Sequence, residues 1–71
     1  MTDEGVYKLI EVIGSSATSF EDAVQVAITE AGKSIKDLRV AEVEKFDVKI
    51  ADNKIIRYRA KVKLSFKIKA D

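Results

Sequence analysis

The chain has 71 residues, 13 basic and 12 acidic, for a formal charge of +1, and it contains no cysteine, histidine or tryptophan. That composition excludes disulfides, thiolate or imidazole metal centres and the histidine-based dyads and triads of covalent catalysis. The near-balanced charge also carries no electrostatic footprint for nucleic acid, and no motif gathers the remaining acid–base groups, so a non-enzymatic protein is expected.

Residues 1–71 make a single domain, with the polar segment Met1–Gly5 expected to be disordered. A domain this small sits near the limit of independent stability. With no disulfide or thiolate site available, oligomerisation is the remaining rescue. No signal peptide, transit segment or long apolar run is legible, which predicts a cytoplasmic chain.

Val6 to Ile13 reads as a first strand that is apolar on both faces. Val6, Ile10 and Val12 fall on one parity, and Tyr7, Leu9 and Ile13 on the other. A strand of this kind is covered on both sides, and a chain with one helix to offer needs a second subunit for the other cover. Gly14-Ser15-Ser16 reads as a turn. Thr18 with Glu21, or Ser19 with Asp22, forms a capping box for the helix that follows. Phe20, Ala23, Val24, Ala27, Ile28, Ala31 and Ile35 then recur at spacings of three and four, one apolar stripe ending near Gly32 to Ser34.

Leu38 to Ile50 reads as a second strand, and Ala51-Asp52-Asn53-Lys54 as a hairpin turn. From Ile56 to Ile68 the pattern alternates without a slip. Ile56, Tyr58, Ala60, Val62, Leu64, Phe66 and Ile68 share one face. Arg57, Arg59, Lys61, Lys63, Ser65, Lys67 and Lys69 share the other. This third strand spans ~43 Å at about 3.3 Å per residue. A compact globule of this length has a radius of gyration near ~11 Å. The strand therefore outruns its own monomer and must wrap around something or reach a neighbour.

With Asp52 and Asn53 as the turn pair, Ala51 faces Lys54, Val43 faces Val62 and Ala41 faces Leu64. Glu44 then faces Lys61, and Glu42 faces Lys63, so both faces agree on one register. Phe46 breaks the apolar parity that Ala41 and Val43 set in the second strand.

An ordered set of residues here resembles the dodecin family. It runs through Val6-Tyr7-Lys8, Ile13-Gly14-Ser15-Ser16, Ser19-Phe20-Glu21-Asp22-Ala23, Ala27-Ile28, Leu38, Glu42-Val43, Asn53-Lys54, Tyr58, Val62, Leu64 and Phe66. The resemblance implies an α+β subunit, β-α-β-β, with a three-stranded antiparallel sheet curled around one helix. It implies twelve subunits in a hollow homododecameric shell that binds and stores a small ligand. Members of that family typically stack flavins between tryptophans, with a glutamine on the last strand bonding the ring.

This chain departs from the family pattern at the ligand site. Val40 stands at the tryptophan position, Arg59 at the glutamine and Arg57 near it at a position where histidine is common. Valine has no aromatic face to stack on a flavin, and a guanidinium has no acceptor for the ring N–H. A flavin (FMN, riboflavin or FAD) is thus the family expectation, altered at Val40, Arg57 and Arg59, with Phe46 either at a subunit contact or bordering the pocket. The arginines favour an anionic ligand. Dodecin-like proteins without the tryptophan include calcium binders, so calcium is the alternative. Its candidate ligands here are Glu42, Glu44 and Asp47, without the spacing of an EF-hand.

Overall fold

The computed structural model describes residues 5–69. The expectation of a disordered start falls, for residues 1–4, outside the described residues. The elements are β1 (Val6–Ser16), α1 (Phe20–Gly32), β2 (Leu38–Ala51) and β3 (Lys54–Lys69). All three strands form one antiparallel sheet in the order β1-β3-β2, so the longest strand is the central one. The helix lies on one face of the sheet, over β1 and β3 more than over β2.

The helix starts where the capping chemistry places it. Ser19 is the N-cap and its hydroxyl accepts from the Asp22 backbone N–H at 3.0 Å. The Asp22 carboxylate does not complete a capping box on Ser19. It accepts instead from the Ser16 hydroxyl at 2.7 Å, and that same Ser16 oxygen accepts from the Thr18 backbone N–H at 2.9 Å. Ser16 is thereby buried and satisfied, and the loop into the helix is fixed by side chains.

Gly14 is a correction to the sequence reading. It is not in a turn, because β1 continues to Ser16. Gly14 lies opposite Ala60 and is buried under the helix. A Cβ there would overlap the Ala23 carbonyl oxygen and stand 3.0 Å from the Ala27 Cβ. The glycine is needed for close approach of helix to sheet, and the alanines of the helix stripe serve the same end.

The core is small. Ala23, Ala27, Ala60, Val62 and Leu64 are its buried apolar residues, flanked by half-buried Ile10, Val12, Val24, Ile28, Ala31, Leu38 and Ala41. Three of those five are alanine, so the helix contributes proximity more than volume. The subunit measures 51 × 21 × 17 Å with a radius of gyration of 14.3 Å, well above the ~11 Å of a compact chain this long. Both ends of the sheet overhang the helix, whose 13 residues cover only ~20 Å at about 1.5 Å per residue.

The hairpin turn is Asp52-Asn53, both left-handed with φ of 54° and 60°, which is the type I′ geometry that suits the twist of paired strands. Asparagine tolerates that region less well than glycine. Replacing Asn53 by glycine is expected to raise the melting temperature, by about 0.5 kcal/mol of stability, and a β-branched residue there to lower it. Thermal melts of the two variants check the sign.

The register agrees with expectation at the turn and again from Val43 to Val40, differs between them, and slips once more at Leu38, which faces Phe66. Ala51 faces Lys54 as predicted, and Val43, Glu42 and Ala41 face Val62, Lys63 and Leu64. Between them two bulges offset one another. Ile56 is extra on β3, and Glu44 is extra on β2. In the interval Phe46 faces Ala60, Asp47 faces Arg59 and Lys45 faces Lys61. The expected Glu44–Lys61 pair is therefore not formed. The bulge also explains Phe46: parity flips after Glu44, so Phe46 joins Ala60 on the helix side of the sheet.

Candidate functional site

Directly opposed residues of an antiparallel ladder share a face. The face away from the helix therefore gathers three strands' worth of named side chains. From the hairpin end toward the chain termini its rows run Lys49–Arg57, Asp47–Arg59–Ser15, Lys45–Lys61–Ile13, Glu42–Lys63–Glu11 and Val40–Ser65–Leu9. Val40, Leu9 and Ile13 are 61%, 57% and 57% exposed, so the second apolar face of β1 has no cover within the chain. That bears on the expectation of a second subunit, since single subunits rarely leave such a face bare.

The sheet does not bring Val40 and Arg59 together within one chain. Their rows stand six residues apart along β3, ~20 Å at about 3.3 Å per residue. Two copies must meet for these side chains to share a pocket. Phe46 lies on the opposite face from both. Its ring packs on Phe20, with centroids 4.7 Å apart, and Phe20 in turn meets Tyr58 edge-on at 5.1 Å. Phe46 nonetheless stays 50% exposed, on the face opposite to Val40.

Arg59 is occupied by its own chain. Its Nε and Nη2 donate to the two Asp47 carboxylate oxygens at 2.6 and 3.1 Å, a bidentate fork. The guanidinium holds the Asp47 carboxyl below its ordinary value of 3.8, and the carboxylate raises Arg59 in return. Arg57 folds back to donate to the Ile56 carbonyl at 2.7 Å. The Lys63 ammonium binds Glu44 at 3.0 Å, which lowers the Glu44 carboxyl and raises Lys63. Lys61 lies 4.0 Å from Glu11.

A lowered carboxyl stabilises the fold above its unfolded pKa near ~4, and that contribution is lost as pH falls through the lower folded value. Asp47 and Arg59 are exposed, so the effect is small and salt-sensitive. Arg59→Gln is expected to melt below the parent at pH 7 and level with it near pH 2. Equal melting at pH 7 would show that the fork contributes nothing.

The candidate calcium ligands share a face and do not converge. Asp47 and Glu44 are each bound to a cation of their own chain, and Glu42 lies in the row of Lys63. Among the described residues no three acidic side chains stand where one ion meets them all. Glu11 completes this acidic set opposite Lys63, and sequence reasoning missed it because only the β1–β3 pairing places it there.

Comparison with known proteins places these features. The family model described as Dodecin matches residues 6–69. The chain is 42% identical over 64 residues to a protein named calcium dodecin from Mycobacterium tuberculosis, covering 90% of each chain. It is 29% identical over 63 residues to a dodecin from Thermus thermophilus, covering 89% of this chain and 91% of that one. Among solved structures, the dodecin of Streptomyces coelicolor superposes with a TM-score of 0.89 at 26% identity, over 99% of this chain and all of that one. The structure of the M. tuberculosis calcium dodecin, described as having a novel calcium-binding site, gives a TM-score of 0.81 at 42% identity over 90% and 91% of the two chains.

Proposed function

This chain belongs to the dodecin family, and from that premise we propose that it is the subunit of a homododecameric shell that binds and stores a small ligand, with calcium as that ligand. Assembly is supported by the bare apolar faces. Eleven large apolar residues of the described chain are exposed, among them Leu9, Ile13, Val40, Phe46 and Ile50, against a core of five. Burying apolar surface gains about 25 cal/mol per Å², and a core built mostly of alanine needs that gain from neighbours.

Calcium is supported by the 42% identity to a calcium dodecin, and that observation carries the reading. Calcium takes six to eight oxygens from carboxylates and carbonyls. One chain does not supply that set, so Glu42, Glu44 and Asp47 would contribute only where copies meet, with Glu11 beside them. In such a site the ion draws carboxylates from several subunits and ties assembly to metal.

Flavin is the second reading. The observation favouring it is that exposed Val40 and Leu9 flank Ser65 in one row, an apolar surface at the position the resemblance gives to the stacking residue. Stacking on an aromatic ring is worth ~0.5–1.5 kcal/mol beyond area burial, and valine forgoes it.

Calcium at about 100 times its Kd is expected to stabilise the assembly by ~2.7 kcal/mol, seen as a raised melting temperature that EGTA reverses. A colourless sample with that response supports calcium. A yellow sample whose flavin titration tightens on Val40→Trp, with no response to calcium, supports the second reading instead.

A further inference from the structure

The bulges at Glu44 and Ile56 offset each other, so β2 and β3 have a second, unbroken ladder open to them between the same two ends. The bulged register opposes Lys45 to Lys61 and Lys49 to Arg57. Like charges facing each other across a ladder are destabilising. Glu11, 4.0 Å from Lys61, relieves the first pair in part. The bulges also leave Glu44 and Ile56 without a ladder partner. Sliding residues 45–49 by one against β3 removes both. Glu44 then faces Lys61, Phe46 faces Arg59, Val48 faces Arg57 and Lys49 faces Ile56. Both like-charge pairs are gone, and Glu44 gains a lysine opposite it. Against this, the slide gives up the Asp47–Arg59 fork and the packing of Phe46 on Phe20. It also carries Lys45, Asp47 and Lys49 to the helix side. That side is open at this end of the sheet, where Phe46 is 50% and Ile50 62% exposed, so the lysine heads still reach water.

We infer that residues 45–49 of β2 are a register switch, a segment with two alignments on β3 of which the structure shows the bulged one. β2 is an edge strand, so the slide breaks only β2–β3 bonds and leaves the β1–β3 ladder whole. The hairpin tip turns over as the segment slides. β1 does not oppose that turn, because its pairing with β3 ends at Ser16 and Tyr58. A slip of one residue exchanges the two faces of a strand. In the bulged register the face away from the helix carries Lys45, Asp47 and Lys49. In the unbroken register it carries Phe46 and Val48 in their place. Whatever covers that face therefore selects the register: a cationic partner of Asp47 holds the bulged one, and an apolar surface the unbroken one. The switch belongs to one chain and needs neither calcium nor flavin.

The chain has no cysteine, so paired cysteines report the register cleanly. The test is disulfide trapping in the assembled protein under a mild oxidant, with peptide mapping to separate bonds within a chain from bonds between subunits. Lys49→Cys/Arg57→Cys joins positions opposed in the bulged register and is expected to close fast. Val48→Cys/Arg57→Cys joins positions opposed only in the unbroken register, since in the bulged one they lie on opposite faces. It is expected to close within the chain, more slowly by about 10- to 1000-fold, as suits a minor state of about 0.1–10%. Ala41→Cys/Lys63→Cys, one residue off its pairing where the register is constant, is expected to stay open. A 48/57 pair that stays reduced while the 49/57 pair closes overturns the switch. So does a 41/63 pair that closes as fast as the 48/57 pair, because fraying of the edge strand would then explain both. Should the reduced 48/57 variant not fold by circular dichroism, methyl relaxation dispersion on the parent decides. Exchange on the μs–ms scale is expected at Val48 and Ile56, and flat profiles at both overturn the proposal.

Discussion

Gly14→Ala is expected to unseat the helix. The added Cβ meets the Ala23 carbonyl oxygen, a backbone atom that cannot rotate away, and presses on the Ala27 Cβ. The backbone at Gly14 is not left-handed, since Gly5 is the described glycine with positive φ, so the penalty is one of space and not of conformation. Overpacking a close contact costs about 1–3 kcal/mol, and displacing a helix from a five-residue core reaches the upper part of that range. For a domain of this size 1 kcal/mol moves the melting temperature by roughly 4–8 °C, which puts the expected drop on the order of 10–20 °C. Circular dichroism melts check it. A variant within a few degrees of the parent would show that helix and sheet do not meet where the structure places them.

Leu64→Ala is expected to be at least as damaging. Leu64 is 1% exposed, and with Val62 it is one of the two largest fully buried side chains. It faces Ile10 on one side and Ala41 on the other, at the middle of the central strand, so no neighbour shifts in to fill the space. Leucine-to-alanine changes in such positions cost about 2–5 kcal/mol. A 71-residue domain has a total stability of only about 4–11 kcal/mol by the usual per-residue range. The variant is expected to unfold or to survive only inside the assembly, with a melting temperature that depends on protein concentration. Denaturant titration at two concentrations distinguishes these outcomes. An unchanged midpoint would mean that the core lies elsewhere.

The alternation from Ile56 to Ile68 located the central strand, and its even parity named Ala60, Val62 and Leu64 as inward-facing. The helix stripe and Ser19 cap were equally legible, because each depends on local spacing. The two bulges were not. They cancel, so the register is right at the turn and right again at Val43, and sequence pairing has nothing to detect between. A visible trace was Phe46 on the wrong parity, and the bulge accounts for it. Gly14 was misread for a related reason: glycine marks a turn and a close approach alike, and only the helix above it tells which.

At the candidate site the residue types were legible and their partners were not. Arg59 looked available for an anion, yet its fork to Asp47 arises from the shifted register and no i-to-i spacing announces it. Glu42, Glu44 and Asp47 looked like a cluster along one strand. The fold puts them on one face and couples two of them to cations instead. The proposed calcium site would draw on carboxylates of several subunits, for which a single chain's sequence holds no distances.

The central claim is that these elongated subunits close into a twelve-membered shell that takes up calcium. Native mass spectrometry of the purified protein, before and after exchange into EGTA, tests it most directly. The expected mass is that of twelve 7.9 kDa subunits carrying calcium-sized increments that EGTA removes. A monomer, or a dodecamer whose only added mass is that of a flavin, would contradict it.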